Sequence, residues 1–231
     1  MTNIFPPPPS TQGYSLRKAN ENDLDDITKI HIEGFVEEPM DNYCYPYRFD
    51  HTEDHFRWMK EEYQYYLDNP EKFALHVAEA PEQPGGAEGA RPKPMAIAVW
   101  NTNVLAKAPP LNRGLDQRKD ANKKHVEAYA KVSGKRYQPH GFFYEWTEKQ
   151  ITLSVLTVLP KFRRQGVGTM MTRWGIDAVK EKRWPVTVCA SPMGRLLYAH
   201  LKFEVIGIEV IQAEDEEESF SSTVMVLFSE V

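Results

Sequence analysis

Apolar positions along this chain switch between two periods, and the switches divide it into strands and helices. Residues 14–19 alternate, with Tyr14 and Leu16 set against Ser15 and Arg17, and read as a short strand. Leu24, Ile27, Ile30, His31 and Gly34 then share one side of a 3.6-residue period. Asn22 stands where a cap belongs, and Asp23, Asp25 and Asp26 follow in the first turn. Pro39 follows, and a second helix is expected after Thr52, carrying Phe56, Met59, Tyr63, Tyr66 and Leu67. Residues 73–80 and 95–101 read as strands, the second alternating about Ile97 and Val99. Between them, residues 81–94 hold four Pro and three Gly and read as a loop. Residues 103–149 fit no simple pattern. Within them 116–132 is highly charged with weak helical periodicity at Ala121, Val126, Tyr129 and Ala130, as in a surface helix of an insertion.

Residues 150–158 form a nearly continuous β-branched apolar run, expected of a central strand buried on both faces. From Gly166 onward Val167, Met170, Met171, Trp174 and Ala178 make a helical stripe ending near Arg183. Residues 186–190 read as a strand and 193–201 as a short helix. Two strands, 203–212 and 220–228, flank the acidic loop 214–218. A helix between the fourth and fifth strands implies a right-handed βαβ crossover, while neighbouring strands near both ends imply antiparallel pairing. The fold class is therefore α/β: a mixed, mostly antiparallel twisted sheet of about six or seven strands with helices on both faces.

Composition narrows the class. The chain has 231 residues, 41% hydrophobic and 26% charged, enough for one domain with an insertion. We read 1–13 as a flexible Pro-rich tail and 14–231 as a single domain with an insertion at about 103–149. A net charge of −5 argues against general nucleic-acid binding, and no apolar run is long enough to span a bilayer. The N-terminal segment lacks the basic and apolar regions of a secretory signal. Cys44 and Cys189 are too few and too far apart for a disulfide framework or a zinc cluster, and the seven His show no ligand spacing. The expectation is a cytoplasmic protein without metal, with the nucleus left open and a homodimer allowed.

The segment Leu153-Ser-Val-Leu-Thr-Val-Leu-Pro-Lys-Phe-Arg-Arg-Gln-Gly-Val-Gly-Thr169 carries the chemistry. A strand runs through a proline stop and two arginines into Gly166-Val167-Gly168, which opens a helix. Such a turn presents unpaired N–H groups and the positive end of the helix dipole, a site for phosphate or pyrophosphate. No Lys follows Gly168, so it is not a Walker A loop. Met171 stands where a Rossmann turn needs its third Gly. A helix N-terminus with a solvated Arg pair is the plain structural alternative. What the residues do match is Arg/Gln-x-x-Gly-x-Gly/Ala after a Val-x-Pro strand end, and this segment resembles the acyl-CoA pyrophosphate loop of the GNAT superfamily of N-acyltransferases. A second block, Ser191-Pro-Met-Gly194-Arg-Leu-Leu-Tyr198-Ala-His-Leu-Lys-Phe203, resembles the next signature of that superfamily. Two positions depart from it: Ser191 stands where Asn is common, and Lys202 stands where Gly usually precedes Phe, which removes an easy left-handed helix stop.

The resemblance implies the acyl-CoA N-acyltransferase fold and a set of roles. Leu156, Thr157 and Val158 would line the pantetheine arm, with backbone groups of Leu156 and Val158 left free where the fourth and fifth strands splay. A backbone N–H of the fourth strand would polarise the thioester carbonyl. Arg163 and Arg164, with the N–H groups of Gln165, Gly166, Val167, Gly168 and Thr169, would hold the pyrophosphate, and a Cβ at either glycine would block that approach. Ser191 would contact the cofactor through its hydroxyl. Tyr198 would be the general acid to the departing thiolate. The implied reaction moves an acetyl group from acetyl-CoA to a primary amine of a small molecule or peptide, by direct attack in a ternary complex. A non-catalytic acyl-CoA-binding module on the same fold, or a binder of another phosphorylated ligand, are the competing readings.

The acceptor side is less determined. An alkylammonium must lose a proton before attack, costing roughly 4 kcal/mol at neutral pH, so a base is expected. Glu145, Glu148, His31 and His76 are candidates by type only. Nine aromatics in residues 39–66 suggest either an aromatic-lined acceptor wall or core packing. The loop 214–218 reads as a solvated hairpin turn or, less simply, as an attractor of a polyamine or basic peptide.

Overall fold

The switching periods resolve into β1 (Ser15–Lys18), α1 (Leu24–Gly34), α2 (Pro39–Cys44), α3 (Thr52–Asp68), β2 (Phe73–Glu79), β3 (Pro94–Asn101), α4 (Lys123–Ser133), β4 (Ile151–Val158), α5 (Val167–Lys180), β5 (Val186–Ala190), α6 (Pro192–His200), β6 (Glu204–Gln212) and β7 (Ser219–Leu227). This computed structural model describes residues 13–80, 92–103 and 114–228. The Pro-rich start and most of the 81–94 loop lie outside the described residues. The seven strands form one sheet in the order β1-β2-β3-β4-β5-β7-β6. Every pairing is antiparallel except β4 with β5, which is parallel as the crossover through α5 requires.

β2 and β3 are buried along their whole length because helices cover both faces of the sheet. Along β3, Ala96, Ala98 and Trp100 join the cluster under α5 with Met170, Met171 and Trp174, while Ile97 and Val99 join Ile27, Ile30 and Tyr63 of α1 and α3. The small alanines let α5 approach closely: a Cβ on Gly175 would stand 2.3 Å from the Trp100 ring.

β4 breaks its own alternation. Val99 pairs with Val155 but Trp100 pairs with Leu153, so Ser154 is an extra, bulged residue. Before the bulge Ile151 and Leu153 face the α5 side. After it Leu156 and Val158 do, and Val155 turns to the α1 side. β4 pairs with β5 only from Ile151 to Leu153, and beyond Leu153 its edge facing β5 is free. The strand expected to be buried on both faces is continuously buried only in its first half; Ser154 is exposed, Val155, Leu156 and Val158 are partly so, and Thr157 alone of the second half is buried.

Two local expectations are corrected, at the start of α1 and at the end of α6. The cap ahead of α1 is Asn20 rather than Asn22: Asn20 accepts from Asn22 N at 3.0 Å, and Asp23 returns the bond by accepting from Asn20 N at 2.8 Å. Pro39 opens α2 at its first helical position, where its missing N–H is an orphan anyway. Lys202 does adopt the left-handed conformation, with φ of 70°, so the turn into Phe203 survives without glycine.

The insertion is tied down by charge. Asp120 is fully buried and accepts from His55 Nδ1 at 2.7 Å and Arg118 Nε at 2.9 Å. α4 is capped by Asn122 and packs on α2 and β6, so it is not the purely superficial helix its composition suggests. His125 of α4 stacks on Tyr43 at 3.8 Å and meets Glu216 Oε2 at 2.6 Å. The acidic hairpin loop thereby holds the insertion as well as facing solvent.

Candidate active site

A single cavity of about 1580 Å³ opens where β4 and β5 separate, and one end of it is lined by Leu156, Thr157, Val158, Arg163, Arg164, Gly166, Gly168, Thr169, Ser191 and Tyr198. Two of the expected residues stand outside the lining. Val167 is buried in the core, and Gln165 is held by the Tyr14 hydroxyl and donates to Lys161 O at 3.0 Å.

The glycine turn has the shape its sequence implies. Gly166 caps α5 with φ of 82°, where a side chain is strained, and nothing lies within 4 Å of where its Cβ would stand. No acidic residue occupies the first turn of α5, whose N–H groups have no intrahelical partner. The open space above Gly166 and the positive helix end fit a pyrophosphate. Gly168 serves a different contact: its Cβ would stand 3.2 Å from Leu197 Cδ2, so it lets α6 lie against α5. The two arginines also divide. Arg164, at φ of 62°, is exposed and makes no ion pair among the described residues. Arg163 is used as a staple, donating from Nε to Val158 O at 3.0 Å and from Nη2 to Gly34 O at 2.8 Å. It joins the end of β4 to the end of α1, where a Cβ on Gly34 would stand 2.2 Å from Thr157 Oγ1.

Tyr198 is buried on α6, with its ring centroid 5.5 Å from that of Phe203. No hydrogen bond among the described residues engages its hydroxyl. Burial, and then the negative charge of Glu38, push its pKa well above the usual phenol value, so it stays protonated at any physiological pH. Ser191 caps α6, accepting from Gly194 N at 3.2 Å, and its side chain also bonds Glu38. Glu38 is half-buried. Burial and the like charge of Asp41 raise its carboxyl to about 7 against the opposing hydrogen bond from Ser191.

Glu38 is the residue that sequence reasoning missed, and it lines the same cavity as Tyr198. Of the bases expected by type, only His31 reaches this cavity; its Nδ1 is engaged by Tyr63 Oη at 2.8 Å. His76 lies under α5 with its ring 4.0 Å from that of Trp174, and burial lowers it to about 4. Glu145 and Glu148 line a separate depression with Lys182, Arg183 and Trp184.

The same cavity has further walls beyond the residues expected to hold a donor. Residues 39–66 serve both expected ends: Tyr45, Trp58, Tyr65 and Tyr66 line it, Tyr63 packs in the core, and Tyr47 and Phe49 are exposed. The insertion supplies the opposite wall through Arg118, Tyr129, Arg136 and Tyr137. Both of those arginines are neutralised from behind, Arg118 by Asp120 and Arg136 by Glu209 at 2.7 Å.

An open sheet splayed between its parallel central strands, with a glycine-capped helix beside the gap, defines the acyl-CoA N-acyltransferase fold of the GNAT superfamily. Comparison with known proteins agrees. A curated acetyltransferase of Stachybotrys chartarum is 25% identical over 236 residues, covering 96% of this chain and 93% of that protein. Arylalkylamine N-acetyltransferase 2 from Aedes aegypti superposes with a TM-score of 0.63 at 9% identity, covering 95% of this chain and all 100% of that one. The structure of histone acetyltransferase HPA2 and related acetyltransferase from Corynebacterium glutamicum gives a TM-score of 0.61 at 16% identity, over 95% and 98% of the two chains. A GNAT-superfamily phosphinothricin acetyltransferase from Sinorhizobium meliloti, solved with AcCoA, gives 0.52 at 12% identity, over 94% and 89%. No protein-family model matches the chain. The structural neighbours carry the fold, and the relative along nearly the whole chain supports acyl transfer as the class of chemistry. Among the described residues no group of three or more His, Cys, Asp or Glu is arranged to hold a metal.

Proposed function

We propose that this protein is an acetyl-CoA-dependent N-acetyltransferase that acylates a primary amine by direct attack in a ternary complex. The observation that carries this reading is the pairing of Glu38 and Tyr198 across one cavity, a carboxyl raised to about 7 and a phenol held protonated. Two titratable groups pushed apart in this way are suited to base and acid roles. A module that only bound CoA would need the glycine turn but neither of these groups.

Acetyl-CoA would supply the activated acetyl thioester. Residues of this chain would hold it as the cavity is built: the first turn of α5 and Arg164 at the pyrophosphate, the free edge of β4 along the pantetheine arm, and a β4 N–H at the thioester oxygen. Glu38, ionised above about 7, takes a proton from the acceptor ammonium. The Tyr198 hydroxyl donates to the sulfur as negative charge develops on it. As the tetrahedral adduct collapses, the nitrogen gives up its second proton, which restores Tyr198, and Glu38 releases the first to solvent, so each turnover yields the amide, the free thiol and one proton. The arylalkylamine N-acetyltransferase among the neighbours is consistent with a small amine acceptor.

The test is acetyl-CoA-dependent thiol release over an amine library, with CoA affinity measured by calorimetry. Tyr198→Phe is expected to lower kcat by roughly 10²–10⁴-fold with CoA affinity retained. Unchanged turnover would remove Tyr198 as the acid. Tight ATP binding with none for CoA would overturn the donor assignment.

A further inference from the structure

The cavity contains a buried carboxylate that the acyl-transfer chemistry leaves unexplained. Asp41 lies one helical turn beyond Glu38 on α2, is 1% exposed and lines the cavity. Its Oδ1 stands 3.4 Å from His31 Nε2, and its Oδ2 has no hydrogen-bond partner. The neighbouring Arg48 does not relieve it. That guanidinium donates to main-chain carbonyls, Val36 O at 3.0 Å, Tyr45 O at 3.1 Å and Asp41 O at 3.3 Å, and to the Asn42 side chain. A buried carboxylate oxygen without a donor costs several kcal/mol unless something supplies one. The cations on the opposite wall cannot, because Arg118 and Arg136 are committed to Asp120 and Glu209.

We propose that Asp41 binds a second ammonium group of the acceptor, so that the substrate is a short aliphatic diamine or polyamine rather than a monoamine. This rests on the acyl-transfer reading above. With Glu38 at the reacting nitrogen, the second cation belongs one helical turn away, a Cβ separation of roughly 5–6 Å that about three or four methylenes span. The wall around it suits such a chain. Glu62, which accepts from Tyr66 Oη at 2.6 Å, adds negative charge, and the aromatic rings of Tyr45 and Tyr129 pack on methylenes. An ammonium on Asp41 also offsets the like charge that holds Glu38 protonated, so the second amine prepares the base for the first. A monoamine, aliphatic or aromatic, leaves the Asp41 oxygen as it is.

The experiment compares 1,4-diaminobutane with n-butylamine on the wild-type protein and on Asp41→Asn. The diamine is expected to exceed the monoamine by at least about tenfold in kcat/KM, chiefly through KM, with the ratio falling close to one in the variant. Because the ratio is internal to each protein, a general loss of activity or folded fraction cancels. Equal use of the two amines by the wild type, a ratio that survives Asp41→Asn, or a preference for 2-phenylethylamine over both would overturn the proposal. Calorimetric binding of the two amines in the presence of CoA separates this from the parent reading. Selective diamine binding without thiol release would remove the catalytic reading and leave the Asp41 site standing; thiol release with no diamine selectivity would do the reverse.

Discussion

Replacing Glu38 with Gln makes two predictions of different kinds from one observation. Gln resembles the protonated carboxyl in shape and can still accept from Ser191, but it cannot remove a proton. The wild-type kcat/KM should rise through an apparent pKa of about 7, the value of the free protein. In the variant that limb should vanish and the plateau should fall by roughly 10²–10⁴-fold. Stability should move the other way. Burial and Asp41 raise Glu38 from 4.5 to about 7 in the fold, so the folded protein binds this proton more tightly than the unfolded chain. The stability it contributes is fully present below about 4.5 and is lost as pH rises through 7. At 1.36 kcal/mol per pKa unit the loss is on the order of 3 kcal/mol, equivalent to roughly 6–12 °C in Tm for a domain of this size. Glu38→Gln should therefore match the wild type at pH 4 and exceed its Tm at pH 8. Thermal unfolding by circular dichroism at the two pH values measures this with no substrate present. Equal Tm shifts at both pH values would show that Glu38 is not perturbed by burial, and the base assignment would fall with it.

Asp120→Ala should cost about 3–5 kcal/mol, because it leaves Arg118 and His55 buried without their partner; urea unfolding measures it, and a loss under about 1 kcal/mol would refute the anchoring role. Burial opposes ionisation of Asp120, but hydrogen bonds from His55 and Arg118 hold it near 2, so the wild type should lose this margin as pH falls from 3.8 through 2 and the variant should not. Lys202→Gly should raise stability by about 0.5–1 kcal/mol, since Lys202 holds φ of 70° at the end of α6. A lower urea midpoint for the variant would mean that the lysine side chain contributes more than its backbone strain costs.

The two halves of the cavity were unequally legible in the sequence, for a physical reason. The donor half is local. A strand, a glycine turn and a helix are contiguous from Ile151 to Lys180, and Tyr198 follows one strand and one helix later. Their chemistry depends on backbone direction, which nearest-neighbour residue types encode: Gly166 is needed for its φ, and no acid sits in the first turn of α5. Even there, residue type misleads where a distant partner competes. Arg163 reads as an anion ligand, yet Val158 O and Gly34 O take its guanidinium. The bulge at Ser154, which turns Leu156 and Val158 to the α5 side, is likewise hidden in a run of apolar residues that fits an uninterrupted strand.

The acceptor half has no local code. Glu38 is one of three acidic residues between 33 and 38 and is unremarkable among them. Its carboxyl is raised, and suits the base role proposed for it, because it is partly buried where Pro39 starts a helix beside Ser191, from the other end of the chain, and because Asp41 follows on the same turn. The insertion is similar. Its Arg118 and Arg136 suggest a basic surface by composition, but each is neutralised by an acid out of sight behind it, so that a wall drawn with two arginines presents little positive charge to the cavity. On the proposed function, donor recognition is written in short-range backbone geometry and acceptor recognition in long-range charge pairing. Exchanging buried partners such as Asp120 and Glu209 would then change the charge of the acceptor wall while the donor motifs stay the same.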